Sequence, residues 1–409
     1  MTVQHRRFSL TLRSPLPTAA GDIKQRRGVL VGVGGDDTAT QSTTTATQST
    51  TTTAQPTTTT TTQPTAADEP GGVGLGEATP LPGWTESIET CIKALQSVEA
   101  APQIERAVDQ LDPKETPAAR HGLAVASLDR RSRETGQQAA AWLAERHGLA
   151  KPTETVPVNA TIGDADLDAT VAEAKAAVND GFDCLKLKVG VRTVDADVDR
   201  LRAVRDAVGS DVTLRADANG AWTSDAARRA LRRLAPVELA YVEQPLPATD
   251  LEESIELARD ADSATPIALD ESIATYGIGP VLEAATAEHD TDARYTASPA
   301  IDTVVLKPMV LGGPDVTLAA ALRARSAGVD PVVTTTVDAV VARTAAVHVA
   351  AAIPAVAPCG LATGSLLESD LAPDPTRPLT NGHLSVPDAP GLAGGEFSNL
   401  RASFGETRG

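Results

Sequence analysis

Residues 184–190 read CLKLKVG, 212–219 VTLRADAN, 240–245 AYVEQP, 266–272 PIALDES and 303–309 TVVLKPM. Each is a short apolar run that ends in polar or charged residues. Between them lie stretches such as DADVDRLRAVRDAVG and TSDAARRALRRLAP, whose apolar residues recur at helical spacing. Three further strand candidates, VPVNATI (156–162), PVVTTTV (331–337) and APCGLAT (357–363), bring the count to eight strands alternating with helices. That is the pattern of an α/β protein closed as a (β/α) barrel over residues 151–380. A doubly wound open sheet is the competing architecture, but no glycine-rich dinucleotide fingerprint follows any strand, and eight near-regular repeats favour closure.

Upstream, GVLVGVGG (28–35) and GGVGLGEATPLPGW (71–84) read as two strands of a hairpin whose turn is expanded by a Thr-rich tract. That tract, 36–72, offers almost no apolar side chain to bury and is expected to be disordered. Loop closure cost grows only logarithmically with length, so a surface insertion of this size is tolerable. Residues 84–150 read as helices, the first opening on Thr85 or Ser87. Residues 1–150 are therefore expected to form an α+β unit, and the turn-rich tail 381–409 to pack back on it.

The chain has 409 residues, a net charge of −18 and three widely spaced cysteines. An acidic surface disfavours nucleic acid and anionic membranes as partners. No apolar run is long enough for a membrane span, and the N-terminus lacks the apolar segment of a signal peptide, so a cytoplasmic location is expected. Reduced thiols and no structural zinc follow from the cysteine spacing. Only eight of the 36 basic residues are lysine; acidic, lysine-poor composition is what a cytosol of very high salt would tolerate through screening. It also makes Lys186, Lys188 and Lys307, all in strand candidates, less casual.

Barrel enzymes carry functional side chains at the carboxyl ends of their strands. Here those ends hold Lys186-Leu187-Lys188, Asp217-Ala218-Asn219, Glu243-Gln244-Pro245, Asp270-Glu271-Ser272 and Lys307-Pro308. Asp217, Glu243 and Asp270 are spaced about one β/α unit apart, which sets them at equivalent heights on adjacent strands. Three converging carboxylates repel unless a cation sits among them, and oxygen-only ligands select a hard ion, Mg²⁺ first. A strand's period of two turns Lys186 and Lys188 the same way, and Lys307 reaches the mouth from the other flank. A lysine beside a divalent cation has its pKa driven down and can act as a base, so the chemistry read is proton abstraction next to a substrate carboxylate. Any one strand-end acid alone is more often a loop cap or ion pair; the ordered set is hard to reproduce by chance.

KLK (186–188), RADANGAW (215–222), EQPL (243–246), LDES (269–272) and LKP (306–308) resemble the motifs of the enolase superfamily, muconate-lactonizing subgroup. Within it, GEATPLPGWTES (76–87), IKQRRGVLVGV (23–33) and CGLAT (359–363) are most similar to segments of the o-succinylbenzoate synthase family of menaquinone biosynthesis. The resemblance covers the chain outside the Thr-rich tract. It implies a modified (β/α)7β TIM-like barrel under an N-terminal α+β capping domain, with Mg²⁺, or Mn²⁺ in its place, on Asp217, Glu243 and Asp270. It further implies that Lys188 abstracts the α-proton of 2-succinyl-6-hydroxy-2,4-cyclohexadiene-1-carboxylate and then helps hydroxide leave as water. Lys307 would stabilise the enediolate, Lys186 would tune Lys188, and Asn219 and Glu271 would orient the metal ligands.

Thr334-Thr335-Thr336-Val337-Asp338 departs from that family's Ser-rich seventh strand end followed by Glu. Thr336, the Gly360 backbone amide and Arg26, beside Arg27 in the loop near 19–27, are the candidate substrate contacts. The alternatives are an N-succinylamino acid racemase, a dipeptide epimerase or a muconate cycloisomerase, which would use the same site, and a noncatalytic scaffold barrel. The expected partner is a small-molecule carboxylate, with no membrane insertion; an oligomer is compatible with the sequence.

Overall fold

The computed structural model describes residues 2–16, 22–34, 72–99, 101–260, 265–287 and 298–405. The Thr-rich tract therefore lies, but for Gly72, outside the described residues, as do residues 17–21 of the N-terminal loop. Strands β1 (Thr2–Leu16), β2 (Ile23–Gly34) and β3 (Gly74–Ala78) form an antiparallel sheet in which β2 is central. Val31 pairs with Gly76, so the two segments read as an expanded hairpin do pair. Helices α1 (Ile88–Ser97), α2 (Ile104–Gln110), α3 (Pro117–Glu134) and α4 (Ala139–Arg146) follow. Of the two cap candidates it is Ser87 that accepts from an α1 amide, that of Thr90. Helix α3 packs on β3 at backbone distance. A Cβ at Gly76 would lie 1.9 Å from the Gly122 carbonyl oxygen, so only glycine fits there.

The candidate strand 156–162 splits in two. Its first half, β4 (Thr155–Pro157), turns away to pair antiparallel with the tail, and its second, β5 (Ala160–Ile162), opens the barrel. Then alternate α5 (Leu167–Asn179), β6 (Cys184–Lys188), α6 (Val194–Val208), β7 (Thr213–Asp217), α7 (Ser224–Leu234), β8 (Tyr241–Glu243), α8 (Leu251–Arg259) and β9 (Ile267–Leu269). After α9 (Glu271–Tyr276) and α10 (Ile278–Thr286) come β10 (Thr303–Leu306), α11 (Pro308–Leu311), α12 (Pro314–Ser326), β11 (Asp330–Val333) and α13 (Val340–Ala352). Strands β5 to β11 are parallel neighbours in sequence order. The eighth segment closes the ring through single parallel bridges, Cys359 to Val158 on one side and Gly360 to Thr334 on the other. No helix of the outer ring follows it before the tail, which is the (β/α)7β modification.

The helices form where the sequence caps and stripes them. Asp166, Thr193 and Thr223 each accept from an amide of the first turn of α5, α6 and α7. In α7, Ala227, Ala230, Leu231 and Leu234 are buried at helical spacing while the arginines between them face outward. Beyond β12 (His383–Ser385), which pairs with β4, the tail ends in α14 (Ser398–Ala402). Arg401 there meets Asp129 of α3 in an ion pair that is wholly buried. Asp129 also accepts from the Leu75 and Leu392 amides, so one carboxylate ties the tail, α3 and β3 together. Cys91, Cys184 and Cys359 are buried and free. Among the described residues no helix is long and apolar enough to cross a membrane.

Candidate active site

Register explains how the strand ends meet. Lys188 pairs across the sheet with Asp217, and Asp217 with Glu243, so the three stand level on adjacent strands. Lys186 sits one layer below Lys188 on the same face of β6. Its Nζ lies 2.9 Å from Asp217 Oδ2 and donates to both Glu243 oxygens at 3.0 and 3.1 Å. Lys188 Nζ donates to Asp217 Oδ2 at 2.6 Å and to Asn219 Oδ1 at 2.8 Å. Across the mouth Lys307 Nζ donates to Asp270 Oδ2. The three carboxylates are buried, whereas the Lys188 side chain is 34% exposed at the rim.

Around this core runs a ring of supporting contacts. Asn219 Nδ2 donates to Glu271 Oε1 at 3.0 Å, while Glu271 Oε2 is buried with no partner. Gln244 Oε1 accepts from the Asp270 and Ser272 amides, each at 3.1 Å, and its Nε2 donates to Ser272 Oγ at 2.9 Å. Both Asn219 (φ 44) and Gln244 (φ 41) hold the left-handed conformation, in which the chain turns sharply at the strand end. Sequence reading gave Gln244 no role; its position inside EQP was the available signal. Trp84 from the cap was also missed. Its ring centroid lies 3.5 Å from Lys307 Nζ, a cation–π contact that lays the cap loop over the barrel mouth.

Electrostatics follow from packing six charges together. Burial works to lower the Lys186 ammonium, but the adjoining Asp217 and Glu243 outweigh it and hold the group well above the ordinary lysine value. Burial likewise works to raise Asp217, and the two lysines on it prevail, holding it well below the usual carboxylate range. Glu243 is pushed up by burial and then by the Asp217 charge. Asp270 is pushed up by burial against the opposing pull of Lys307. In this arrangement the lysines are themselves the counter-charges of the carboxylates, which is why Lys186 is held up.

No cluster of three His, Cys, Asp or Glu side chains is drawn together as a ligand set among the described residues. Lysine ammoniums stand between the carboxylates instead. The donor chemistry nevertheless fits a hard divalent ion. Three buried carboxylates from adjacent strands offer oxygen alone, two of them are pushed up by burial, and Glu271 keeps an unpartnered oxygen beside them.

Three expected substrate contacts have partners within the chain. Arg26 is 2% exposed and its guanidinium is committed to backbone carbonyls, of Thr79 at 2.7 Å, Pro80 at 3.1 Å and Val337 at 3.2 Å. It locks the cap to the seventh strand end. Thr336 is buried and donates to Asp338 Oδ1 at 2.5 Å. The Gly360 amide donates to the Val333 carbonyl at 2.9 Å in the bridge that closes the barrel. Glycine is needed there for contact, since a Cβ would lie 2.4 Å from Thr334 Oγ1.

Residues 169–394 match the family model described as "Enolase C-terminal domain-like". The chain belongs to the enolase superfamily. Among its relatives, the o-succinylbenzoate synthase of Thermobifida fusca is 38% identical over 246 residues, 59% of this chain and 70% of that protein. The N-succinyl-L-Arg/Lys racemase of Bacillus cereus is 30% identical over 199 residues, 48% of this chain and about half (49%) of that protein. Among solved structures, the dipeptide epimerase of Enterococcus faecalis V583, complexed with Mg and the dipeptide L-Leu-L-Tyr, superposes with a TM-score of 0.75. It is 23% identical and the match covers 96% of this chain and 98% of that one, a likeness of fold. The family and the barrel agree with the motifs at the strand ends, and the subgroup is that of muconate-lactonizing-type enzymes with synthase, epimerase and racemase members.

Proposed function

We propose that this protein is an o-succinylbenzoate synthase that dehydrates 2-succinyl-6-hydroxy-2,4-cyclohexadiene-1-carboxylate to 2-succinylbenzoate in menaquinone biosynthesis. What carries the reading is the pair of lysines on opposite flanks of three buried carboxylates, in a chain 38% identical to the T. fusca o-succinylbenzoate synthase over 246 residues. Asp217, Glu243 and Asp270 would hold Mg²⁺, or Mn²⁺ in its place. When bound, the cation supplies charge that makes a substrate carboxylate tolerate a second negative charge.

The residues of the chain do the proton work. Lys188, at the exposed rim, takes the proton α to the carboxylate, and Lys186, fixed to Glu243 and Asp217 beneath it, places a second ammonium next to it. Lys307 keeps its ammonium turned toward the mouth, between Asp270 and the Trp84 ring, and stabilises the oxyanion from the far side. Lys188, now protonated, returns its proton to the departing hydroxyl on the same face. Loss of water makes the ring aromatic, so the reaction is strongly downhill. Asn219 and Glu271 orient Lys188 and the carboxylates through their shared hydrogen bond.

N-succinylamino acid racemisation is the second reading, favoured by one observation: Lys188 and Lys307 face each other across the carboxylates, as two-base exchange requires. The test is absorbance decay of the cyclohexadiene substrate with purified protein and Mg²⁺, with product identification. Rapid formation of 2-succinylbenzoate is expected. A folded, Mg²⁺-binding protein that leaves this substrate intact and racemises N-succinylamino acids would overturn the synthase reading in favour of the second.

A further inference from the structure

The seventh strand end of the barrel is held by the cap. Helix α13 is buried along its whole length and has no cap from its own N-terminal side chain at Ala339. Its first amides are instead satisfied from outside. Glu77 of β3 accepts from the Ala339 amide at 2.8 Å and the Ala342 amide at 2.9 Å, and Asp370 accepts from the Val340 amide at 2.9 Å. A carboxylate at that place meets both the free N–H groups and the positive end of the helix dipole. Glu77 itself is 0% exposed and is steadied by the Thr79 hydroxyl.

Between β11 and α13 stands Val337, with φ 60. A β-branched side chain strongly disfavours the left-handed region, so this conformation persists only because its surroundings impose it. The surroundings are visible. Arg26 of β2 donates to the Val337 carbonyl and to the Thr79 and Pro80 carbonyls of the cap loop. The Val337 side chain packs in a small apolar cluster with Leu10, Leu12, Ala339 and Leu367. Beyond Thr79 and Pro80 the same cap loop runs to Trp84, over Lys307, and the Thr79 amide points at Met309 Sδ just after Lys307.

We propose that Glu77 and Arg26 are positioning residues, which clamp the strand-seven end in its left-handed turn and so fix the wall of the substrate pocket that lies beside Lys307 and across the mouth from Lys186 and Lys188. The clamp acts on binding more than on chemistry, because the reacting groups on β6 to β10 are held by their own network of ion pairs. It rests on the proposed enzymatic role of the site only for its kinetic readout.

Three measurements test it. The first is KM and kcat of Glu77→Gln for whichever reaction, dehydration or racemisation, the wild type performs. Glutamine keeps one acceptor but turns a donor toward an amide, so KM is expected to rise about tenfold with kcat changed less than about threefold. The second is Val337→Gly in that background. Glycine holds a positive φ without strain, so the double variant is expected to recover most of the lost KM; a merely structural role for Glu77 would give no such rescue. The third is hydrogen–deuterium exchange of the peptide spanning 334–343, which needs no substrate and is expected to quicken in Glu77→Gln and to slow again in the double variant. If Glu77→Gln does not fold, Thr79→Val, which removes only the hydroxyl bonded to Glu77, is expected to give a smaller shift in the same direction. Unchanged KM and exchange, or a loss in kcat that Val337→Gly does not repair, would overturn the clamp. A wild type inactive on both substrates would overturn the functional reading alone and leave the exchange result to decide the clamp.

Discussion

The two halves of the barrel mouth are built from different materials. Along β6 to β10 the strand ends carry charge: Lys186, Lys188, Asp217, Glu243, Asp270 and Lys307 meet one another as side chains, lysine against carboxylate. Along β11 and the eighth segment the contacts run mostly to backbone and hydroxyl groups. Gly360 bonds to Val333, Thr334 to Gly360, Thr335 to Thr363 and Arg26 to Val337. One half is suited to reactive chemistry and the other to shape. Charge that is buried and self-balanced stays where it is only while its partners stay, whereas a packed wall depends on volume and on the cap above it.

Removing the base should give the largest contrast. Lys188→Ala is expected to lower kcat by a factor of roughly 10²–10⁴, the usual contribution of a general base, with fold and Mg²⁺ binding retained. Steady-state kinetics with circular dichroism and calorimetry checks this, and near-normal turnover would move the base elsewhere.

The charged half should also show itself in stability against pH. With divalent cations chelated, Glu243 is raised to about 7 and Asp270 to about 6 from ordinary values of 4.5 and 3.8. A raised carboxylate holds its proton more tightly folded than unfolded. Its contribution is therefore full below about pH 4 and is lost as pH rises to about 7. Glu77, also raised to about 7 by burial first, adds to the same slope. The thermal midpoint should fall across that window, and Mg²⁺ should restore more of it at pH 8 than at pH 5, where two of the three ligands, Glu243 and Asp270, are protonated. The Glu77 share should remain when Mg²⁺ is present. Equal stabilisation by Mg²⁺ at both pH values would contradict the ligand set.

The packed half should respond to volume. Gly360→Ala drives a methyl to within 2.4 Å of Thr334 Oγ1 and is expected to cost about 1–3 kcal/mol of stability, with kcat little changed in the molecules that remain folded. Denaturant titration measures the first and active-site-normalised turnover the second. A neutral substitution would mean that the eighth segment closes the barrel more loosely than the bridge at Gly360 indicates.

That contrast also separates what the sequence disclosed from what it concealed. Charged strand ends at one-unit spacing are a side-chain signal, so β6 to β10 and their six charged residues could be read directly. The roles of Arg26, Thr336 and Gly360 could not, because their partners are backbone groups or near neighbours that no residue-type pattern announces. Arg26 and Val337, for example, are 311 residues apart. VPVNATI reads as one strand by its apolar run, but it splits because Val156 pairs with Leu384 in the tail, a contact outside any local window. Trp84 lies in a segment whose resemblance was plain, yet nothing in a single sequence places a particular ring over a particular lysine.

The central claim, that three carboxylates and two opposed lysines form a cation-assisted proton-abstraction site, is tested most directly by turnover before and after chelation. Activity on the cyclohexadiene substrate should vanish in excess chelator and return on addition of Mg²⁺ to the same sample. Full turnover in excess chelator would contradict it.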